Sequence, residues 1–242
     1  MAALVVGLGP GKRSEVALLG AMAAYAYFLR PYWFIVAAIY VALRLAHGRV
    51  GLRRTLVVGL GCLVAVAASV YVVLGIPADH YRSSINATRM GADNAASMIR
   101  RFVDLPEPAG GIVNVLLTYG ALLIPIPVAV LGGAYYLGIA LALSFMHISF
   151  MRGAAQLSSV HAVSVAAKRG IALVLAFVLT QSLFEPDYGS ALRHLTPLLP
   201  VMLLVTWEAS GRRSRAATPS AHDATQSTGG STAASRATRV RQ

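Results

Sequence analysis

Between Thr55 and Ile76 the chain carries no charged side chain, and a run of that length can cross the hydrocarbon core of a bilayer, which takes about 20 apolar residues. Apolar runs recur at Tyr32 to Ala46, Pro127 to Met151, Gly170 to Phe184 and Leu195 to Trp207. The chain is 57% hydrophobic and 12% charged, whereas soluble domains carry about 25% charged residues. Such a chain cannot cover its own surface with polar groups, so lipid must serve as its solvent. In lipid every backbone amide needs an internal partner, which leaves helices as the spanning elements. The expected fold is an all-α, multi-pass transmembrane bundle of about five to seven membrane helices, short re-entrant or interfacial ones included.

The formal charge of +12 does not mark a nucleic-acid binder, because the arginines stand at the ends of apolar runs and in the last segment rather than along one soluble face. They serve orientation instead. Arg49, Arg53 and Arg54 in the loop His47 to Arg54 predict a cytoplasmic loop by the positive-inside rule. A plasma-membrane protein with a cytoplasmic C-terminal tail follows, and Arg152, Lys168 and Arg169, between two apolar runs, are expected in a cytoplasmic loop as well. Cys62 is the single cysteine, so no internal disulfide and no cysteine-based metal site is expected. No cofactor or metal is expected at all.

The expected domains are an N-terminal segment 1–14, a helical membrane domain 15–210 and a disordered basic tail 211–242. Lys12 and Arg13 follow the first apolar stretch, the reverse of a signal peptide, so no cleavage is expected. Ser14 is placed to cap a helix from Glu15 to Phe28, which Arg30-Pro31 ends. Loops 77–111 and 185–194 are expected outside. Within the first, Asp93 is placed to cap an interfacial helix with Met98, Ile99, Phe102 and Val103 on one face and Arg100 and Arg101 opposite. Pro125 and Pro127 divide Ile112 to Met151, making Ile112 to Ile124 a re-entrant or interfacial piece. The tail is mostly Ser, Thr, Ala, Gly and Arg, which cannot offset the entropy of ordering.

Gly7 to Arg13 superficially resembles a phosphate loop, but Val6 and Arg13 occupy the positions that need Gly and Ser/Thr. No metalloprotease helix, paired cysteines or nucleophile elbow occurs. His147 and His161 are isolated, and His147 reads as a hydrogen-bonded packing residue. The informative pattern is one of sidedness. Under the expected topology Arg30, Tyr32, His80, Arg82, Arg89, Glu185, Asp187, Tyr188, Arg193 and His194 all reach the external ends of helices. Grouped guanidiniums suit a diphosphate, since they offer planar charged donors that do not deprotonate. A nearby histidine can accept a proton from an attacking hydroxyl. The plainer alternative has these arginines snorkelling to lipid headgroups and pairing with loop carboxylates.

The stretch Phe184-Glu185-Pro186-Asp187-Tyr188-Gly189-Ser190-Ala191-Leu192-Arg193-His194, followed by Leu195 to Pro200, resembles the penultimate loop and last helix of bacterial surface-polysaccharide assembly proteins. These are the O-antigen or capsule polymerase-like membrane proteins, akin in style to class C glycosyltransferases. Phe28 to Tyr32 and Leu122 to Pro127 are similar to segments that precede it there, so the resemblance covers roughly residues 15 to 210. It implies a protein working at the external face on polyprenyl-diphosphate-linked glycans. Arg193 and His194 match the Arg-His of the late loop, and Arg30 matches the arginine of an Arg-Pro-Tyr segment. Arg89 joins them from topology alone. The expected site therefore has Arg30, Arg89 and Arg193 on the diphosphate and His194 or Glu185 in proton transfer, with membrane lipid and lipid-linked oligosaccharide as partners. Family members carry more helices before the Arg-Pro-Tyr segment and an early acidic loop. That difference motivates a second expectation, a non-catalytic membrane subunit or fragment that needs a partner chain. A transporter or flippase is the third, ranked last because the spans offer few polar residues near the midplane.

Overall fold

A computed structural model describes residues 8–9, 11–47, 52–89, 97–131, 133–158 and 163–217. Among these the chain is helical: α1 (Lys12–Phe28), α2 (Trp33–His47), α3 (Leu52–Leu74), α4 (His80–Arg89), α5 (Ala109–Leu123), α6 (Ile126–Leu131), α7 (Gly133–Ser158), α8 (Val165–Phe184), α9 (Tyr188–Leu195) and α10 (Leu199–Ala217). A 3₁₀ turn, Thr196–Leu198, joins the last two. Three helices, α3, α7 and α8, are long and apolar enough to cross a membrane, while α2 and α5 are shorter apolar helices. Arg49, Asp93, His161 and the tail from 218 onward lie outside the described residues.

The bundle is built around α8, which buries every residue from Arg169 to Leu183. The membrane-spanning window of α8 is 89% buried, against 17% for α3 and 22% for α7. An axis that is apolar all round belongs inside, and its neighbours turn one face to it and one outward. α2, α3, α5 and α10 all pack on α8. The outward faces carry Val72, Val73, Leu74, Phe145, Leu203 and Trp207, a surface suited to lipid.

Small residues set the spacing. A Cβ at Gly170 would lie 2.9 Å from Val201 Cγ1, and one at Gly153 would lie 3.2 Å from the Thr206 Cα. In lipid such close approach replaces the hydrophobic effect as the source of helix attraction. Gly153→Leu is therefore expected to force α7 off α10 and remove about 1–3 kcal/mol, read as a lower thermal midpoint in detergent. Gly138→Leu, on the same helix where an added Cβ meets nothing within 4 Å, leaves that midpoint in place.

Four expectations are corrected. α1 begins at Lys12, and Ser14 does not cap it: the N-cap is Gly11, at φ 110. The Ser14 hydroxyl instead donates to Gly9 O (2.7 Å) and Gly11 O (2.8 Å) and accepts from Arg169 at 2.7 Å. Arg169, expected in a cytoplasmic loop, is a buried residue of α8 that also pairs with Glu15 at 3.1 Å. The third correction concerns the stretch from Met98 to Pro106, which is not helical. Its backbone groups are satisfied elsewhere: Ile99 N donates to Pro186 O, Asn86 donates to Ile99 O, and Asn114 Oδ1 accepts from Phe102 N and Val103 N. Finally, residues 211–217, expected in the tail, continue α10. Glu208 ties that helix to the start of α8, accepting from Ser164 N at 3.0 Å and from Arg212 at 3.1 Å.

Candidate functional site

At one end of the bundle three connections converge. α1 stops at Phe28 because Pro31 cannot continue it, and the turn that follows, with Trp33 N bonded to Arg30 O at 3.0 Å, carries Arg30 and Tyr32. α8 stops at Phe184 because Glu185 precedes a proline and takes an extended conformation (φ −75, ψ 116). Asp187 then caps α9, its Oδ1 accepting from Ser190 N at 2.7 Å. The third connection is α4, a helix that the sequence reading did not expect.

These elements enclose a cleft of about 530 Å³, within the usual range for small-ligand sites of about 300–1,000 Å³. Arg30, Arg89, Glu185, Arg193 and His194 all line it. Helical spacing explains the grouping. Ser190, Arg193 and His194 lie at i, i+3 and i+4 on α9, and Tyr81, Ile85 and Arg89 lie at i, i+4 and i+8 on α4, so each helix gives one face. Tyr32 stacks on Phe184 with ring centroids 5.6 Å apart, and Tyr81 meets the same ring edge-on at 5.8 Å. His80 is exposed at the start of α4 and does not line the cleft.

The charges divide by partner. Arg30 and Arg193 are exposed and form no ion pair among the described residues. Arg89 is engaged: its Nη1 lies 2.7 Å from Asp187 Oδ2. His194 Nδ1 lies 2.9 Å from Glu185 Oε2, and this carboxylate is 1% exposed while the imidazole is 32% exposed. Glu185 Oε1 is buried without a hydrogen-bond partner. The wall is thus positive at its rim, with a buried carboxylate that orients a half-exposed imidazole.

Behind the cleft sits a second ionic group. Arg82, expected with the polar residues at the external helix ends, is fully buried. It donates to Ser182 O at 3.1 Å and to Thr118 Oγ1, and lies 3.5 Å from Asp79 Oδ2. Arg101 completes the group, 3.1 Å from Asp79 and 2.6 Å from Glu107. Burial pulls the Arg82 guanidinium down to about 10, so it stays charged at neutral pH. Burial also pushes the Tyr188 phenol up to about 12, keeping it neutral. This group joins α4 and α5 to the end of α8 and so holds the cleft wall in place.

Sequence reading missed Tyr81, Ile85, Gln181, Phe184 and Ser190 as lining residues. The i, i+4 spacing of Gln181, in the last turn of α8, and Glu185, just after it, was an available signal. Among the described residues no three His, Cys, Asp or Glu side chains are placed to hold a metal ion. What the cleft offers chemically is two free guanidiniums, a third shared with Asp187, an aromatic wall and a carboxylate-oriented imidazole. No family model, no curated protein and no solved structure matches the chain.

Proposed function

We propose that the chain is a plasma-membrane protein of cell-surface polysaccharide assembly, whose cleft opens on the external face and takes the diphosphate of a polyprenyl-linked glycan. The observation that supports this reading is the meeting of Arg30, Arg89, Arg193, Glu185 and His194 around one cleft. Arg30 and Arg193 would supply charge-assisted donors to diphosphate oxygens, and Arg89 would be released from Asp187 as the anion arrives. His194, oriented by Glu185, would accept the proton of an attacking sugar hydroxyl. In the same proposal Ile112 to Ile124, which holds most of α5, is a re-entrant or interfacial piece, and the C-terminal end of α10 is cytoplasmic.

Binding tests the assignment directly. In nanodiscs, Arg30→Ala and Arg193→Ala are each expected to weaken binding of a polyprenyl diphosphate about 10- to 100-fold, matching about 1.5–3 kcal/mol for a charged hydrogen bond. Equal loss of a neutral polyprenol would point to hydrocarbon contacts instead and remove the diphosphate from the proposal. Sidedness has its own check. In a Cys62→Ala background, an impermeant thiol reagent on whole cells is expected to label Ser84→Cys, which is exposed on α4, and not Gly211→Cys, exposed on α10. The reverse pattern excludes an external cleft.

A further inference from the structure

His147 lies in the middle of α7 and is 4% exposed. Its Nδ1 is 2.9 Å from Leu143 O on its own helix. That contact requires Nδ1 to carry the proton in the neutral ring, which leaves Nε2 a lone-pair acceptor. Nε2 is buried and has no hydrogen-bond partner. The ring borders a small void of about 20 Å³ that is otherwise lined by Leu122, Leu143, Phe177, Val178, Ala191, Leu195 and Gln181.

Gln181 is the one other polar residue of that lining. It is also 4% exposed, and its Nε2, a donor, is buried and makes no full hydrogen bond, with the Tyr32 phenol as its polar neighbour on the cleft side. A buried acceptor and a buried donor thus border one void, each destabilising while unpaired. A water molecule needs about 10–15 Å³ of such space and at least two polar partners. Accepting from Gln181 and donating to His147, one water satisfies both.

Gln181 also lines the 530 Å³ cleft. Just past the end of α8 stands Glu185, which lines the same cleft and whose Oε1 is also buried without a partner. His147 Nε2, Gln181 Nε2 and Glu185 Oε1 therefore mark a line of unmet hydrogen-bonding groups from the bundle interior to the cleft floor. No other titratable side chain borders the void; along the cleft side Gln181 meets the Tyr32 phenol, and beyond it stand Arg30, Glu185 and His194, the last two paired at 2.9 Å.

We propose that the void is a water-binding site, and that His147 is a proton-exchanging group connected through it and Gln181 to the cleft. The site does not depend on what the cleft binds. It adds a polar path through the bundle interior, and it gives the Glu185–His194 pair an internal neighbour to which a proton can pass through water.

Hydrogen–deuterium exchange at the Cε1 position of individual histidines, followed by mass spectrometry, tests this on the full chain in nanodiscs. That exchange needs water at the ring. In the parent, His147 is expected to exchange measurably, more slowly than the half-exposed His194. Gln181→Leu, which removes the donor, is expected to slow His147 severalfold and leave His194 nearly unchanged. Ala191→Val fills the void without removing a polar group and is expected to do the same, which decides the matter if the leucine variant fails to fold. An His147 that stays unexchanged in the parent while His194 exchanges overturns the proposal. So does an His147 whose rate is the same in the parent and in Ala191→Val.

Discussion

Arg82→Met will unfold with about 3–5 kcal/mol less stability than the parent chain, the typical result of removing one partner from a buried ion pair. Arg82 and Asp79 are both 1% exposed, so neither is screened by solvent. Methionine fills much of the volume but leaves Ser182 O without its arginine donor and Asp79 with Arg101 as its remaining cation. Denaturation in a fixed detergent, followed by tryptophan emission or helical circular dichroism, measures the difference. Arg100→Met, at an exposed neighbouring position with no ion pair among the described residues, is expected to stay within about 0.5 kcal/mol. A loss at Arg82 no larger than that at Arg100 removes the ionic group from any role in holding α4 on α8. Pairing Arg82→Met with Asp79→Leu is expected to lose less than the two single effects together, because the double variant strands no buried charge.

The same group shows why part of the fold was readable and part was not. α3 is apolar from Thr55 to Leu74, and no soluble environment competes for such a run, so its identity follows from transfer energetics alone. The end of α1 near Arg30-Pro31 and the break at Glu185-Pro186 follow from proline sterics, which act within two residues. Local patterns were less decisive where tertiary partners compete. Met98 to Val103 has a helical spacing of apolar residues, yet Asn114 and the Pro186 carbonyl take its backbone groups, and nothing within the segment announces partners so far along the chain. Ser14 has the identity of a cap but is bound by Arg169, far away in sequence. Arg82 and Arg89 looked alike as loop arginines. One is buried at the base of α4 and the other lies in the cleft, seven positions along, because the helix carrying them could not be seen in a polar segment of low hydropathy.

The grouping of the candidate site residues at one cleft was legible through sidedness more than through motif. If alternate connections of a bundle meet at one membrane face, their polar residues share that face, and Arg30, Arg89 and the 185–194 segment come together for that reason. Sidedness does not say which arginine is free. Only the 2.7 Å contact separates Arg89, held by Asp187, from Arg30 and Arg193. It follows that Arg89→Ala, unlike the other two, also leaves a carboxylate at the mouth of the cleft without its partner.

Glu185→Gln is expected to lower turnover of a lipid-linked glycan substrate by about 10²–10⁴-fold, the contribution of a positioned acid–base group, while polyprenyl-diphosphate binding changes little. Two jobs separate within one cleft. Glu185 borders the cleft but is 1% exposed and holds His194 Nδ1 at 2.9 Å, so in the proposed reaction it would act through the imidazole, leaving Nε2 to face a substrate hydroxyl. Glutamine keeps the shape and a carbonyl acceptor but removes the charge that stabilises the protonated ring once it has taken a proton. In the proposed function the ground-state contacts to the diphosphate would come from Arg30 and Arg193 and would stay in place, so the loss is expected in kcat rather than KM. A substitution that merely loosened the loop would instead raise KM, lower thermal stability and respond equally to Asp187→Asn, which weakens the α9 cap by about 1 kcal/mol. Unchanged kcat in Glu185→Gln, measured with purified protein and a defined acceptor, would leave the cleft a binding site and assign the chain to recognition of lipid-linked glycan rather than to its chemistry.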